Sequence, residues 1–240
     1  MTLARADLRF ESGSRSLDET IAEQTAALLA AQRSDGHWVF EFEADVTIPA
    51  EYVMLRHFLG ALDDDYLLRE QRIVAYLRSI QGEDGGWPLF HGGDSNISAT
   101  VKAYFALKLA GAEIDAIHMR RAREKVLALG GAAQANVFTR FALALFDQVP
   151  WRAVPVMPVE IMLLPRWFPF HLEKVSYWSR TVIAPMLILM ALKPQAVNPH
   201  GVSIDELFRE PPEIARYPLN PTGTWLGALF KGLDKVVRLV

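Results

Sequence analysis

A seven-residue pattern, Gln-x-x-Asp-Gly-x-Trp, occurs twice, at residues 32–38 and 81–87, 49 residues apart. On the same offset Asp45 matches Asp94, Ile48 matches Ile97 and Ala50 matches Ala99. Seven identities on one register mark an internal repeat. A unit of this period is too small to bury its apolar face alone, so neighbouring copies must stack. Each copy reads as helix, turn, helix. Before the turns, Ile21, Leu28 and Leu29 in one copy, and Ile73, Val74, Leu77 and Ile80 in the other, recur at helical spacing. Asp-Gly then stops the helix, because glycine enters the left-handed region without a Cβ penalty. The segments after the turns, 50–62 and 99–110, are apolar on most sides, as buried helices are.

A third, degenerate unit follows, with a helix over 122–129, a break at Gly130-Gly131 and an apolar helix over 137–146. Beyond Pro150, four prolines at 155, 158, 165 and 169 predict short helices and loops. Another apolar helix is predicted over 177–192, and 194–224 as mostly loop. Alternating inner and outer helices predict an all-α fold, an incomplete α/α barrel or toroid. Its inner helices fall near 47–62, 95–110, 134–147 and 176–192.

Composition narrows the function classes. The 51% of hydrophobic residues suits a packed domain, and a net charge of −3 gives no electrostatic reason to expect nucleic acid. There is no cysteine, which removes disulfides, thiol nucleophiles and thiolate zinc sites. The six histidines are scattered without metal spacing, and no HExxH, GxSxG, Walker or GxGxxG pattern occurs. The first sixteen residues are polar and lack the apolar core of a signal peptide; they are expected to be poorly ordered, with one domain over 17–240. The longest apolar run, 182–192, is too short to span a bilayer and holds Pro185.

The two Gln-x-x-Asp-Gly-x-Trp units resemble the QW motifs of triterpene cyclases. Four further blocks, TIPAEYVMLRH (47–57), NVFTRFALAL (136–145), PWRAVPVMPVEIMLLP (150–165) and YWSRTVIAPM (177–186), resemble successive blocks of bacterial squalene–hopene cyclases, in that family's order. The resemblance covers the chain from about Leu17 onward. It implies a fold of two α/α-barrel domains around a central cavity, and a cofactor-free cyclisation of squalene to a pentacyclic hopanoid, started by an acid in an Asp-x-Asp-Asp motif. No such motif is present: Asp63-Asp64-Asp65 lacks the spacing and reads as a solvated helix end. The chain therefore reads as the amino-terminal part of such an enzyme, inactive by itself. The partners implied are squalene or a related isoprenoid, a second barrel domain, the cytoplasmic face of the cell membrane and, for the full-length enzyme, a homodimer. Two other readings stand beside it. One is a prenyltransferase β subunit, against which the lack of cysteine argues. The other is a non-catalytic isoprenoid-binding module from a truncated gene.

Alkene protonation produces carbocations that stray water destroys, so such chemistry needs a dry cavity. Aromatic faces can stabilise a cation without attacking it, by roughly 2 kcal/mol or more when desolvated. By resemblance, Phe138 and Trp178 match aromatic residues lining the family's cavity, and Glu51 matches a glutamate in the polar network around the acid. Lys102 stands where family members often carry a second glutamate, and Ala142 where some carry tryptophan. Gln32, Trp38, Gln81 and Trp87 read as structural residues of the repeat.

The sharpest amphipathic segment is 225–240. At 100° per residue, Trp225, Leu226, Leu229, Phe230 and Leu233 fall on one face, with Lys231, Asp234, Lys235 and Arg238 opposite. An apolar face against a cationic one suits a helix lying in a membrane interface. The resemblance implies that this segment dips into the bilayer beside the substrate entrance.

Overall fold

Both copies of the repeat close in the same way. In the second copy Gln81 Nε2 donates to Gly85 O at 2.8 Å, and Trp87 Nε1 donates to Leu77 O at 2.8 Å. In the first, Gln32 Nε2 donates to Gly36 O at 2.7 Å and Trp38 Nε1 to Leu28 O at 2.7 Å. The indole thus satisfies one of the carbonyls that a helix end leaves unpaired. Gly36 and Gly85 take φ of 90° and 87°, the left-handed conformation that the Asp-Gly stop requires.

This is a computed structural model, and it describes residues 16–39, 44–169, 171–219 and 223–237. Within the described helices, the side chains of Leu226, Phe230, Leu233, Val236 and Val237 lie outside that description, as does all but Ser16 of the expected disordered N-terminus. The chain divides into two compact units, 1–43 and 44–240. The helix expected to open a domain at 17 therefore belongs to the first unit, as α1 (Leu17–Ala31). A capping box starts it: Ser16 Oγ accepts from Glu19 N, and the Glu19 carboxylate from Ser16 N.

The second unit holds α2 (Thr47–Leu59), α3 (Asp64–Ser79), α4 (Ile97–Leu109), α5 (Ile117–Ala128), α6 (Val137–Leu145), α7 (Tyr177–Leu192) and α8 (Trp225–Val237). Among the described residues the only extended pairing is an isolated bridge between Pro88 and Ser95. The inner helices α2, α4, α6 and α7 match the predicted spans, trimmed at their ends for visible reasons. Gly60, at φ 63°, ends α2 three residues early. Asn96, Asn136 and Ser176 cap α4, α6 and α7 by accepting backbone N–H groups of the first turn. Asp63 caps α3 through Tyr66 N, so the aspartate run is a helix start.

The core centres on α4, where eleven of thirteen residues are buried. Phe105 of α4, Phe146 just past the end of α6 and Phe58 of α2 form a chain of edge-to-face rings. The expectation of burial on all sides holds for α4 but not for α2 or α7. Ile48, Leu55 and Leu59 of α2 are exposed, and so are Tyr177, Trp178, Val182, Ile188 and Leu192 of α7. Periodicity shows that a helix is apolar all round; it does not show how much of that surface this chain itself can cover.

The turn of the second copy is also a docking surface for α5. Gln81 Nε2 donates again, to His118 O at 2.9 Å, and Asp84 pairs with Lys125 at 2.7 Å. A Cβ on Gly85 would lie 2.6 Å from Arg121 O, so glycine is needed for this approach as well as for its φ. The Lys125 ammonium, helped by the Ser95 hydroxyl and Gly86 N–H, holds the Asp84 carboxyl down to about 2.

The proline-rich segment after Lys193 is mostly loop, as predicted, but it is pinned. Val197 N donates to Phe58 O at 3.0 Å and Ala196 N to Leu145 O at 2.8 Å. Its 3₁₀ turn, Asp205–Leu207, buries Leu207 beside Ile204 and Phe208.

Two measurements follow from the repeat. Trp87 is 0% exposed and Trp38 is 43% exposed. Urea denaturation should show Trp87→Ala losing about 3 kcal/mol or more, and Trp38→Ala about 1 kcal/mol. Asp84→Asn should lose about 1 kcal/mol or less at neutral pH, because its pair with Lys125 is partly exposed and screened. The folded value of Asp84 lies below its unfolded value of 3.8, so this contribution is complete above that value and fades as pH falls toward about 2. The stabilities of Asp84→Asn and the wild type should therefore converge at acid pH; a constant gap would show that Asp84 acts through something other than its charge.

Candidate functional site

The three residues predicted from resemblance to act on substrate share one kind of address. Glu51 is the fifth residue of α2, while Phe138 and Trp178 are each the second residue of α6 and α7. All three therefore stand within the first turn and a half of an inner helix. Phe138 is 58% exposed and Trp178 79% exposed. The Trp178 ring meets Tyr177 edge-on, with centroids 6.4 Å apart. Neither aromatic lines an enclosed cavity formed by the described residues.

Glu51 does not stand alone. Its Oε1 accepts from Lys102 Nζ, which reaches across from α4. The lysine side chain is 8% exposed and the glutamate side chain 52%. A buried ammonium needs an anionic partner, and here that partner stands at the rim. Glu51 Oε1 is thus engaged as the acceptor of the Lys102 ammonium. The sequence reading left Lys102 aside as a departure from the family pattern. A lysine amid Ala99–Leu107, an otherwise almost wholly apolar stretch, was the available signal.

Two further polar clusters were not foreseen. Between α2 and α3, His57 Nε2 donates to Glu70 Oε1 at 2.7 Å and Tyr66 Oη donates to the same oxygen at 2.5 Å. Burial would raise Glu70, but these two donors outweigh it and hold the carboxyl below its ordinary range. Burial, and the bond to Glu70, push the Tyr66 phenol well above its usual value. Arg56 stacks over the Tyr66 ring, 4.7 Å from its centroid, and pairs with Asp63. The second cluster joins α4 to the segment after α7. Glu206 Oε1 accepts from Tyr104 Oη at 2.7 Å and from Lys108 Nζ at 2.5 Å, and Lys108 also reaches Ser203 O at 2.5 Å. Both clusters join elements; their acceptors are occupied, which suits them to holding the scaffold.

Of the residues predicted to bind membrane, Trp225 and Leu229 are exposed; the side chains of Leu226, Phe230 and Leu233 lie outside the described residues. Asp234, about 180° round the helix from Trp225, accepts from Val156 N at 2.6 Å. Asp234 thus contacts the body, while Trp225, Leu229, Lys231 and Lys235 are exposed. Among the described residues no helix is long and apolar enough to cross a membrane.

Residues 21–240 match the family described as squalene-hopene cyclase N-terminal domain. The chain is 54% identical over 233 residues to the squalene–hopene cyclase of Bradyrhizobium diazoefficiens, covering 95% of this chain and 35% of that protein. It is 54% identical over 224 residues to the enzyme of that name from Zymomonas mobilis, covering 93% and 33%. For the Alicyclobacillus acidocaldarius squalene–hopene cyclase the identity is 33% over 219 residues, covering 91% and 34%. The chain spans about a third of the length of these curated relatives. A family match across nearly all of the chain, carried on the same repeat and helices that build the fold, places it plainly: the chain belongs to the squalene–hopene cyclase family and corresponds to its amino-terminal domain.

Proposed function

We propose that this chain supplies the amino-terminal part of an enzyme that cyclises squalene to a pentacyclic hopanoid, and that it does not catalyse the reaction alone. The observation carrying this reading is the pair of exposed aromatics, Phe138 opening α6 and Trp178 opening α7, the latter a helix whose apolar surface this chain leaves partly uncovered. In the proposed enzyme a second α/α-barrel domain covers the exposed faces of α2 and α7 and encloses both rings. Their faces then stabilise the carbocations that arise after protonation. Enclosure also keeps water from those cations. The proton must come from a stronger acid than anything here, since the chain holds no Asp-x-Asp-Asp and Glu51 is paired with Lys102. Cyclisation by proton gain and loss leaves the redox state of the carbon skeleton unchanged, so the reading includes no cofactor.

Squalene dissolves in the membrane, and the same reading puts the protein on the cytoplasmic face of that membrane, attached through α8. Outward-facing Trp225 and Leu229, with Asp234 turned to the body, support this. Tryptophan is suited to the headgroup region.

Gas chromatography of squalene incubations with the purified chain should give no cyclised product. Fusing the chain to the part of the Bradyrhizobium relative beyond the match should restore product, and Glu51→Gln in that fusion should lower the rate by about tenfold or more. Turnover by the chain alone, or a fusion indifferent to Glu51→Gln, would refute the corresponding half of the proposal. In liposome flotation the wild type should rise with the vesicles, and a variant carrying Leu229→Ser and Phe230→Ser should stay behind. Equal flotation of the two would rule out attachment through α8.

A further inference from the structure

The chain carries a net charge of −3, yet three cationic side chains and no acid line one cleft. The cleft, of about 500 Å³, lies where the 212–218 loop, the 3₁₀ turn Trp151–Ala153 and α8 meet. Arg152, Arg216, Lys231, Gln134 and Tyr217 are among its walls. Arg152 is fixed in place: its Nη2 donates to the carbonyls of Pro212 at 3.4 Å, Ala215 at 3.2 Å and Glu213. Its guanidinium sits 5.2 Å from the centroid of the Tyr217 ring. Those acceptors are neutral; the Glu213 carboxylate is near enough to act on the Tyr217 phenol, but it forms no ion pair with Arg152 among the described residues. Arg216 and Lys231 have no hydrogen-bond or ion-pair partner among the described residues. The acid nearest in sequence to Lys231 on α8, Asp234, is turned to Val156 N.

A second, independent observation lies behind the same wall. Arg140 is 1% exposed, and only its Nη2 finds a described partner, Pro218 O at 2.8 Å. Its Nε and Nη1 are buried with none. The guanidinium lies 5.9 Å from the Tyr217 ring centroid. Tyr217 is therefore flanked by Arg140 and Arg152, and Pro218 is shared between Arg140 and the cleft wall. No carboxylate among the described residues pairs with Arg140. Burying a guanidinium without an anion is costly, and a nearby anion would offset that cost.

We propose that this cleft binds a phosphate group, held by Arg152, Arg216 and Lys231, with the buried charge of Arg140 behind it. Arginine forks and lysine ammoniums recognise phosphate oxygens through charge-assisted hydrogen bonds. Such a group has two sources, a phospholipid headgroup or free phosphate. The position of Lys231 on α8 places the cleft beside the helix assigned to the membrane, but the site does not depend on insertion of that helix.

The test uses the 240-residue chain and two probes: inorganic phosphate by calorimetric titration, and vesicles by flotation. The vesicles are of phosphatidylcholine alone or mixed with phosphatidylglycerol in equal parts. The variant Arg216→Gln/Lys231→Gln orphans no partner among the described residues, and Arg72→Gln/Arg120→Gln removes the same charge from exposed faces of α3 and α5. The wild type and the control should bind at least one probe: phosphate saturably, or the anionic vesicles in preference to the neutral ones. The cleft variant should lose about thirtyfold in affinity for that probe, at about 1 kcal/mol for each basic residue. Saturable phosphate binding without a vesicle preference identifies free phosphate as the source; a vesicle preference without it identifies the headgroup. Leu229→Ser should weaken flotation while leaving phosphate binding intact, which separates failure of the membrane reading from failure of the cleft. The proposal is overturned if the wild type binds neither probe by these measures, or if the cleft variant matches the control on both.

Discussion

Burial of α4 on every side is the constraint on which the rest of the second unit depends. A helix with eleven of thirteen residues out of water cannot leave a polar side chain unmatched. It carries five such side chains, and each one designates a neighbour. Thr100 Oγ1 accepts from Trp87 N at 3.1 Å, fixing the turn of the repeat. Ser98 Oγ accepts from Asn136 N at 2.8 Å, fixing the start of α6. Lys102 takes Glu51 of α2, and Tyr104 with Lys108 takes Glu206 of the segment beyond α7. Apolar packing supplies most of the driving force, but it is non-directional. The polar pairs are what select one arrangement around this helix.

The two copies of the repeat show how one local motif can serve unequal ends. Their internal hydrogen bonds agree to within a tenth of an ångström at both the glutamine and the tryptophan. The second copy adds contacts that the motif does not contain: Gln81 to His118 O, Asp84 to Lys125, and the close approach of Gly85 to Arg121. The same residues that end a helix thereby receive the next hairpin. In the second copy the turn both closes its own unit and presents donors and acceptors to the following hairpin.

The candidate site lies on exposed surface. Glu51, Phe138 and Trp178 lie near the starts of inner helices, where the chain's own packing gives out. α2 and α7 are as apolar as buried helices, but part of each faces outward. Exposed apolar faces mark surfaces that partners cover, and the chain spans about a third of the length of its relatives. The buried ion pair at Lys102 points the same way. Its ammonium is sealed by this chain, while its carboxylate stands at the rim, where another surface could reach it.

Much of this was legible in the residues. The repeat, the Asp-Gly stops and the four inner helices follow from chain-local chemistry, because hydrogen bonds among residues within about ten positions decide them. The family could be read as well, since its motifs are ordered strings. The partner of Lys102, the His57–Glu70–Tyr66 cluster, the anchoring of 203–206 on α4 and the cationic cleft beside α8 could not. Apart from the Tyr66–Glu70 bond within α3, each joins residues between 13 and about 100 positions apart, at distances that only the packed helices set. Sequence alone determined which helices form and which faces are apolar. Tertiary structure decided which of those faces this chain covers and where its charges meet, because burial and charge pairing belong to neighbours in space, and a periodic pattern names a face without naming what lies against it.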